Sequence, residues 1–373
     1  MSKLSLLIFL SIVSTIYFGM HFYVYTRIVS GLMLSAGFRV WLRIAFLVLG
    51  MSFFVGEFLS RKYTSVWIRP VEFVGATWLG VISMALAIFI ICDIVRIFYR
   101  GEDVRYYITI AGLVLLALVS AYSLYNGMRR PVVRNIDIKM SKLPDELSGF
   151  SVVQLSDLHL NYTKSREWLE DIVNRTNELN PDIIVITGDL IDADICKFEE
   201  VKEILKKLKA RHGVFAVTGN HEFYAGVEVF MDIAEAAGIT VLRNSHVTIA
   251  DKIELAGLDD GAGRHRSGSH HEGPNLYKAL DGVDLTKPVI MLSHMPDIFN
   301  NSRKMGVDLQ LSGHTHAGQI PPMDLIVMFR FDYPYGLYKR DSSYIYTTSG
   351  TGTWGPPVRL FSRSEIVRFI LSK

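Results

Sequence analysis

The sequence predicts a membrane-embedded helical bundle followed by an α/β domain. Long apolar runs recur in the first third of the chain, whereas short β-branched runs alternate with amphipathic stretches from about residue 132 onward. Four of the long runs, 4–25, 38–59, 71–98 and 106–125, reach the roughly 20 residues that a helix needs to cross a bilayer. The later alternation is typical of an α/β domain. We place the boundary near Met128–Pro131, which divides the chain into a transmembrane region, 1–130, and a second domain, 131–373.

Composition excludes several functional classes. Half of the 373 residues are hydrophobic, and the formal net charge of +2 is too close to zero to favour a nucleic-acid partner. Cys92 lies in an apolar run and Cys196 in a polar region, so a disulfide framework is not expected.

The basic residues between the spans predict the orientation in the membrane. Their distribution places the N-terminus and the α/β domain in the cytoplasm of a multi-pass inner-membrane protein. The predicted cytoplasmic side carries Lys3, Arg61, Lys62, Arg69, Arg129, Arg130, Arg134 and Lys139, and the other side carries Arg27, Arg39, Arg100 and Arg105. Within the third span, Asp93 and Arg96 are three residues apart and are expected to pair. We favour such paired charges near helix ends over a transport pathway.

The second domain contains recognisable helix and strand patterns. Ser165 is expected to cap a helix that runs through Asn180 and stops before Pro181. A second helix is expected from about Phe198, with an apolar face and a lysine-rich face. The predicted strands end at Ser156, Thr187, Thr218, Ser293 and Ser312.

Polar side chains follow each of these five strands. They are Asp157 and His159; Asp189; Asn220, His221 and Glu222; His294; and His314 and His316. Sites in α/β sheets collect at the carboxyl ends of strands, so these residues are expected to converge. In an extended chain residues i and i+2 point the same way, which predicts that each D-x-H or H-x-H pair faces a common point.

The residue types indicate a metal site. Carboxylate, amide and imidazole donors together suit borderline divalent ions such as Mn²⁺, Fe²⁺ or Zn²⁺. Seven candidate ligands are too many for one ion with an open position, but they fit two ions that share a carboxylate and clamp a phosphoryl group.

The ordered motifs D-x-H, G-D, G-N-H-E, H and G-H-x-H resemble those of the calcineurin-like metallophosphoesterase superfamily over about 132–373. The segments LSGHTHAGQI and SGTGTWGPPVRLFSR further resemble its bacterial membrane-associated phosphodiesterase branch, which usually has glycine where Ala317 stands. The resemblance implies a four-layer αββα sandwich and two divalent metal ions. It implies that His221 protonates the leaving oxygen and that Glu222 orients His221. It also implies that a hydroxide shared by the ions attacks phosphorus. The implied ligands are Asp157, His159, Asp189 and His316 for one ion, and Asp189, Asn220, His294 and His314 for the other.

The expected function is therefore that of a membrane-tethered dimetal phosphoesterase. It would hydrolyse a phosphodiester or pyrophosphate bond, with a lipid or a nucleotide-linked lipid as the candidate substrate. The alternative is a membrane sensor or scaffold whose metal domain binds a ligand or partner without turnover. The intact set of ligands and the intact His221 favour the enzyme.

Two further segments leave alternatives open. The glycine-rich stretch 259–275 reads either as a flap whose Arg264, His265 or Arg266 touches a substrate phosphate or, as we favour, as a solvated loop. The stretch 328–340 mixes aromatic and basic residues. We favour a packed loop there over a membrane-surface segment, because the stretch has no clear helical periodicity.

Overall fold

The computed structural model describes residues 3–63, 67–161, 164–192, 198–265 and 271–373. Long helices fill the N-terminal part, and strands alternate with shorter helices after residue 131. The helices are α1 (Lys3–Gly31), α2 (Ala36–Lys62), α3 (Ile68–Phe98), α4 (Glu102–Met128), α5 (Arg166–Glu178), α6 (Phe198–Leu205), α7 (Asn220–Ala225), α8 (Val227–Ala236), α9 (Leu276–Ala279), α10 (Phe299–Ser302) and α11 (Met323–Arg330).

Among the residues that the structure describes, three helices are long and apolar enough to cross a membrane. Their candidate spans are Ala36–Leu59 in α2, Ile68–Phe98 in α3 and Glu102–Met128 in α4. The predicted first span, 4–25, lies within α1, a helix of 29 residues that is not one of these three. Three predicted spans are thus confirmed as candidates, and the fourth stays a proposal.

The strands form two mixed sheets of six. The first has the order β1-β12-β2-β3-β4-β5, and the second has the order β10-β11-β9-β8-β7-β6. The strands β2 to β5 run parallel to one another, as do β7, β8, β9 and β11. The strands are β1 (Val132–Lys139), β2 (Ser151–Leu155), β3 (Ile183–Thr187), β4 (Val214–Val217), β5 (Ile239–Val241), β6 (Ser245–Ile249), β7 (Ile253–Gly257), β8 (Val289–Leu292), β9 (Leu309–Ser312), β10 (Gly336–Arg340), β11 (Ser343–Thr347) and β12 (Glu365–Ser372).

The two sheets are stacked face to face between helical layers, as in the expected sandwich. Alternate residues of β3 show this: Ile184 and Ile186 join the core with the α5, α6 and α8 side chains, whereas Ile183 and Val185 join the core shared with the second sheet. All four are fully buried. The other face of the second sheet packs against α9 through a third cluster that includes Val289 and Met291. A strand buried on both faces explains the continuous apolar run in its sequence.

The predicted helix after Ser165 is present. The Ser165 hydroxyl accepts a hydrogen bond from the Trp168 backbone amide at 3.2 Å, which caps the first turn of α5. A side-chain oxygen at this position satisfies one of the amides that the helix itself cannot. The helix stops before Pro181, as expected, but it ends at Glu178, two residues earlier than the predicted end at Asn180.

The chain divides into two compact units. The helical unit contains residues 1–129 together with two segments from the C-terminal half, 318–326 and 355–361. Within this unit, Ser83 of α3 donates a hydrogen bond to the Pro321 carbonyl at 2.7 Å. The Asn126 amide of α4 donates to the Arg359 carbonyl at 3.0 Å. The predicted boundary near residue 130 therefore misses these two later segments, which belong to the helical unit.

The prediction of a packed loop at 328–340 is wrong. The stretch contains the end of α11 and all of β10, which pairs with β11. In α11, Phe329 is 90% exposed and Met328 is 65% exposed. A helix this short has too few turns for a periodic signal to emerge from the sequence.

Candidate metal centre

The polar residues that follow the strands lie at the carboxyl ends of five strands, as the sequence predicts. Three of these strands, β2, β3 and β4, belong to the first sheet, and β8 and β9 belong to the second. The first sheet contributes Asp157, His159, Asp189, Asn220, His221 and Glu222, and the second contributes His294, His314 and His316.

One cluster joins residues from β2 and β9. The Nε2 atoms of His159 and His316 are 3.1 Å apart. The same nitrogen of His316 lies 3.4 Å from Asp157 Oδ1. All three side chains are buried, and their ligand atoms lie close enough together to hold one ion.

A second cluster joins residues that follow β3, β4, β8 and β9. Asp189 Oδ2 lies 3.2 Å from His294 Nε2, which is 3.2 Å from His314 Nδ1. His314 Nδ1 also lies 3.0 Å from Asn220 Oδ1. Because Asp189 Oδ2 is 3.7 Å from His159 Nε2, it lies between the two clusters. The structure thus places His314 and His316 in different clusters.

The side chains converge for a different reason than the one expected from an extended chain. Five of the residues have left-handed backbones, with φ of 53° at Asp157, 47° at His159, 51° at Asp189, 70° at His314 and 50° at His316. Each such non-glycine residue costs roughly 1–3 kcal/mol and persists only where the surrounding fold imposes it. Sharp turns at the strand ends, and not period-two alternation, bring the side chains together.

Two glycines allow the close approach that the site needs. A Cβ atom on Gly219 would lie 2.3 Å from Asp189 Oδ1, and one on Gly313 would lie 2.4 Å from Asp157 Oδ2. Both distances are far inside van der Waals contact, so any side chain at either position would displace a candidate ligand. Glycine is required here for space.

Comparison with known proteins agrees with this geometry. The family model for calcineurin-like phosphoesterase matches residues 150–318. An uncharacterized metallophosphoesterase of Aquifex aeolicus is 34% identical over 237 residues, which cover 63% of this chain and 89% of that protein. The chain belongs to the calcineurin-like metallophosphoesterases.

Other relatives of this metallophosphoesterase extend the likeness. A transmembrane protein with metallophosphoesterase domain from Danio rerio is 38% identical over 71% of this chain. An uncharacterized metallophosphoesterase of Campylobacter jejuni is 29% identical over 97% of both chains. The chain spans 63% of the length of the Danio rerio protein and 64% of that of a Helicobacter pylori relative.

The residues of this metallophosphoesterase fit divalent cations. Asp157 and Asp189 are almost completely buried, and their ion-pair partners in the structure are histidines. Burial opposes a proton on His294, but Asp189 and Asp157 outweigh it and raise the His294 pKa well above its ordinary value. A divalent cation would neutralise the same carboxylates. Burial, with the charge of His294, lowers the His314 pKa to about 3, which keeps its lone pair free for a ligand role.

Asp192 is a site residue that sequence reasoning missed. Its Oδ1 lies 2.7 Å from His221 Nδ1 and 2.8 Å from His159 Nδ1, and its Oδ2 accepts a hydrogen bond from Asn161. Burial opposes a proton on His221, but the hydrogen bond to Asp192 and the charge of Asp189 raise the His221 pKa to about 9. This shift favours the protonated form of the His221 ring. The available signal was a second acidic residue in the segment G-D-L-I-D, three positions after Asp189.

Glu222 has a different role from the expected one of orienting His221. Its Oε1 accepts hydrogen bonds from the amides of Leu190 and Ile191 at 2.7 and 3.1 Å. Its Oε2 accepts from the amides of Asp189 and Gly219 at 2.9 and 2.6 Å. The fully buried carboxylate thus holds the turn after β3 against the turn after β4. Asp192, not Glu222, bonds the His221 ring.

The substitution Glu222→Gln is expected to lower the free energy of unfolding by about 3 kcal/mol. A glutamine amide would face two backbone N–H donors, and each buried group left without a partner costs roughly 1–3 kcal/mol. Urea unfolding of the detergent-solubilised protein would measure the loss. The exposed Glu228→Gln variant is the matched control, and equal stability of the two variants would contradict the role assigned to Glu222.

The stretch 259–275 is only partly described. Arg264 donates hydrogen bonds to the carbonyls of Glu272 and Pro274 at 2.7 and 2.8 Å, which ties it to its own loop. Arg266 and Cys196 lie outside the described residues. At Ala317, where the resembling branch has glycine, φ is 51°, a conformation that glycine adopts without strain.

Proposed function

We propose that the chain is a membrane-tethered dimetal phosphoesterase that hydrolyses a phosphodiester or pyrophosphate bond. The observation that carries the proposal is the convergence of two adjacent donor clusters around Asp189, with the His221 imidazole held beside them by Asp192. Two clusters that share a carboxylate are the arrangement expected of a two-ion site for phosphoryl transfer.

In this proposal one ion is held by Asp157, His159, Asp189 and His316. The other is held by Asp189, Asn220, His294 and His314. Such ions, when bound, polarise the phosphoryl oxygens and lower the pKa of water at the site.

The remaining site residues act on protons and positions. His221, one residue after Asn220 and 18% exposed at its side chain, is accessible to a substrate and donates a proton to the leaving oxygen. Asp192 fixes the ring of His221 through its Nδ1, which directs Nε2 toward the substrate. Glu222 keeps the two turns that carry Asp189 and Asn220 in register.

A lipid or nucleotide-linked lipid is the proposed substrate class. Three candidate spans tether the domain. A substrate in or near the bilayer would be presented to such a tethered domain. The charge bias between the spans supports a multi-pass inner-membrane protein whose catalytic domain faces the cytoplasm.

The test is hydrolysis of a chromogenic phosphodiester and its matching monoester by the purified full-length protein in detergent. Turnover should require added Mn²⁺, disappear with a chelator, and be absent from an Asp189→Asn preparation handled identically. Faster cleavage of the diester supports the proposal, whereas preference for the monoester overturns the diester assignment.

The alternative of a sensor or scaffold makes the opposite prediction. Under this alternative, elemental analysis would find two ions per chain, but the protein would cleave no chromogenic ester, lipid-linked diester or lipid-linked pyrophosphate. That result would overturn the enzyme proposal and support binding without turnover.

A further inference from the structure

A cavity of about 870 Å³ lies within the helical unit, away from the metal centre in sequence. It is bounded by α1, the C-terminal part of α3 and the start of α4. Its charged lining consists of four arginines and two carboxylates, which leaves an excess of two positive charges: Arg27, Arg96, Arg100, Arg105, Asp93 and Glu102. An excess of arginine in a cavity favours an anionic ligand with phosphate-like oxygens.

One carboxylate organises two of the arginines. Asp93 Oδ2 lies 2.6 Å from Arg27 Nε and accepts a hydrogen bond from the Tyr23 hydroxyl at 2.7 Å. Asp93 Oδ1 lies 3.3 Å from Arg96 Nη1, which confirms the pairing that the sequence predicts. Sharing one carboxylate fixes both guanidinium groups in place but neutralises only one of them.

The other two arginines, Arg100 and Arg105, add two positive charges, of which Glu102 offsets one. The buried Arg105 Nε has no hydrogen-bond partner among the described residues, and Arg100 is exposed. Gly101 caps the 27-residue helix α4 without a side-chain hydrogen bond, and it also lines the cavity. The free amides at a helix N-terminus add to the attraction for an anion.

The cavity also has an apolar wall. Ile90, Ile94 and Ile97 of α3 all line it and are 44%, 51% and 62% exposed. Their spacing puts them on one face of the helix. A ligand that fills this cavity would contact a row of apolar side chains as well as the arginines, as an acyl chain joined to a phosphate does.

The cavity-lining residues of α3 lie at a position along the helix that agrees with the depth of the lipid headgroups. This helix has 31 residues, so it is roughly 46 Å long. That exceeds the hydrocarbon thickness of about 30 Å, so residues near its ends reach the headgroup region. The lining residues of α3 run from Ile90 to Ile97, one residue before the helix ends at Phe98.

We propose that this cavity binds an anionic phospholipid, with the headgroup phosphate at the arginines and an acyl chain along the isoleucine row. The headgroup phosphate of a phospholipid and free inorganic phosphate present the same kind of oxygen atoms to the arginines. Basic pockets between membrane helices recognise lipid headgroups in this way. The site is separate from the proposed hydrolysis and does not depend on it.

The test uses the full-length protein in nanodiscs of phosphatidylcholine alone or with added phosphatidylglycerol. Native mass spectrometry would count bound phosphatidylglycerol, and thermal unfolding would report stabilisation by it. The double variant Arg100→Gln with Arg105→Gln should bind phosphatidylglycerol at least tenfold more weakly than the wild type. Arg39→Gln removes an exposed charge from α2 outside the cavity and should bind as the wild type does.

Three outcomes would overturn the proposal. These are equal binding by the double variant, equal loss in Arg39→Gln, or full displacement of phosphatidylglycerol by inorganic phosphate at millimolar concentration. The last would assign the site to free phosphate. If the double variant fails to fold in phosphatidylcholine, Arg100→Gln alone, at an exposed position, provides the same comparison.

Discussion

Replacing Asp189 by asparagine is expected to reduce hydrolysis at least about a thousandfold, which corresponds to roughly 4 kcal/mol of transition-state stabilisation. Its Oδ2 lies 3.2 Å from His294 Nε2 and 3.7 Å from His159 Nε2, between the two donor clusters. Asparagine keeps the shape but loses the charge that would bind both ions. Initial rates with a chromogenic phosphodiester and metal content by elemental analysis would measure the two effects.

The matched control is Asp281→Asn, which removes a carboxylate from an exposed position. This variant should keep two ions per chain and the wild-type rate. Wild-type activity in Asp189→Asn would remove the shared carboxylate from the mechanism. Loss of activity with both ions still bound would limit Asp189 to a role in the chemical step.

The substitution His221→Asn is expected to lower kcat by about 10²–10⁴, the usual range for a lost general acid. His221 belongs to neither proposed ligand set, so the metal content of the variant should be unchanged. The loss should be greater for a phenyl ester than for a p-nitrophenyl ester, because the poorer leaving group depends more on protonation. Paired rates with the two esters would measure this difference.

Two comparison variants sharpen the assignment. Asp192→Asn keeps a side chain beside His221 but removes the charge, and we expect a smaller loss in kcat than in His221→Asn. His212, which stacks on the Phe150 ring, serves as a histidine control. An equal loss for both esters would argue against proton donation, and a loss of metal would make His221 a ligand.

The sequence pattern was sufficient to predict an α/β domain and the strands that bear the candidate site, whereas the sandwich was implied by the family resemblance. The reason is that β2, β3, β4, β8 and β9 are short, strongly apolar and followed at once by polar side chains. Their order along the chain was enough to predict convergence at the sheet edge. The cap at Ser165 was predictable for a similar reason, because the capping interaction is local.

The features that escaped prediction depend on contacts between distant residues. The bond from Asp192 to His221 joins turns that follow different strands, and the amides bound by Glu222 come from two such turns. The left-handed backbones at Asp157 and His314 are imposed by the surrounding fold against local preference. No periodic pattern in the sequence carries this information.

Each donor cluster takes residues from both sheets. In the first cluster, Asp157 and His159 follow a strand of the first sheet, whereas His316 follows a strand of the second. In the second cluster, Asp189 follows a strand of the first sheet and His294 follows a strand of the second. Bound ions would therefore act as cross-links between the two halves of the sandwich, and neither half alone could hold them. By mass action the ions would then stabilise only the assembled sandwich, so its melting temperature should follow the concentration of free metal. Metal supply would thus govern how long the folded domain lasts, as well as whether it turns over substrate.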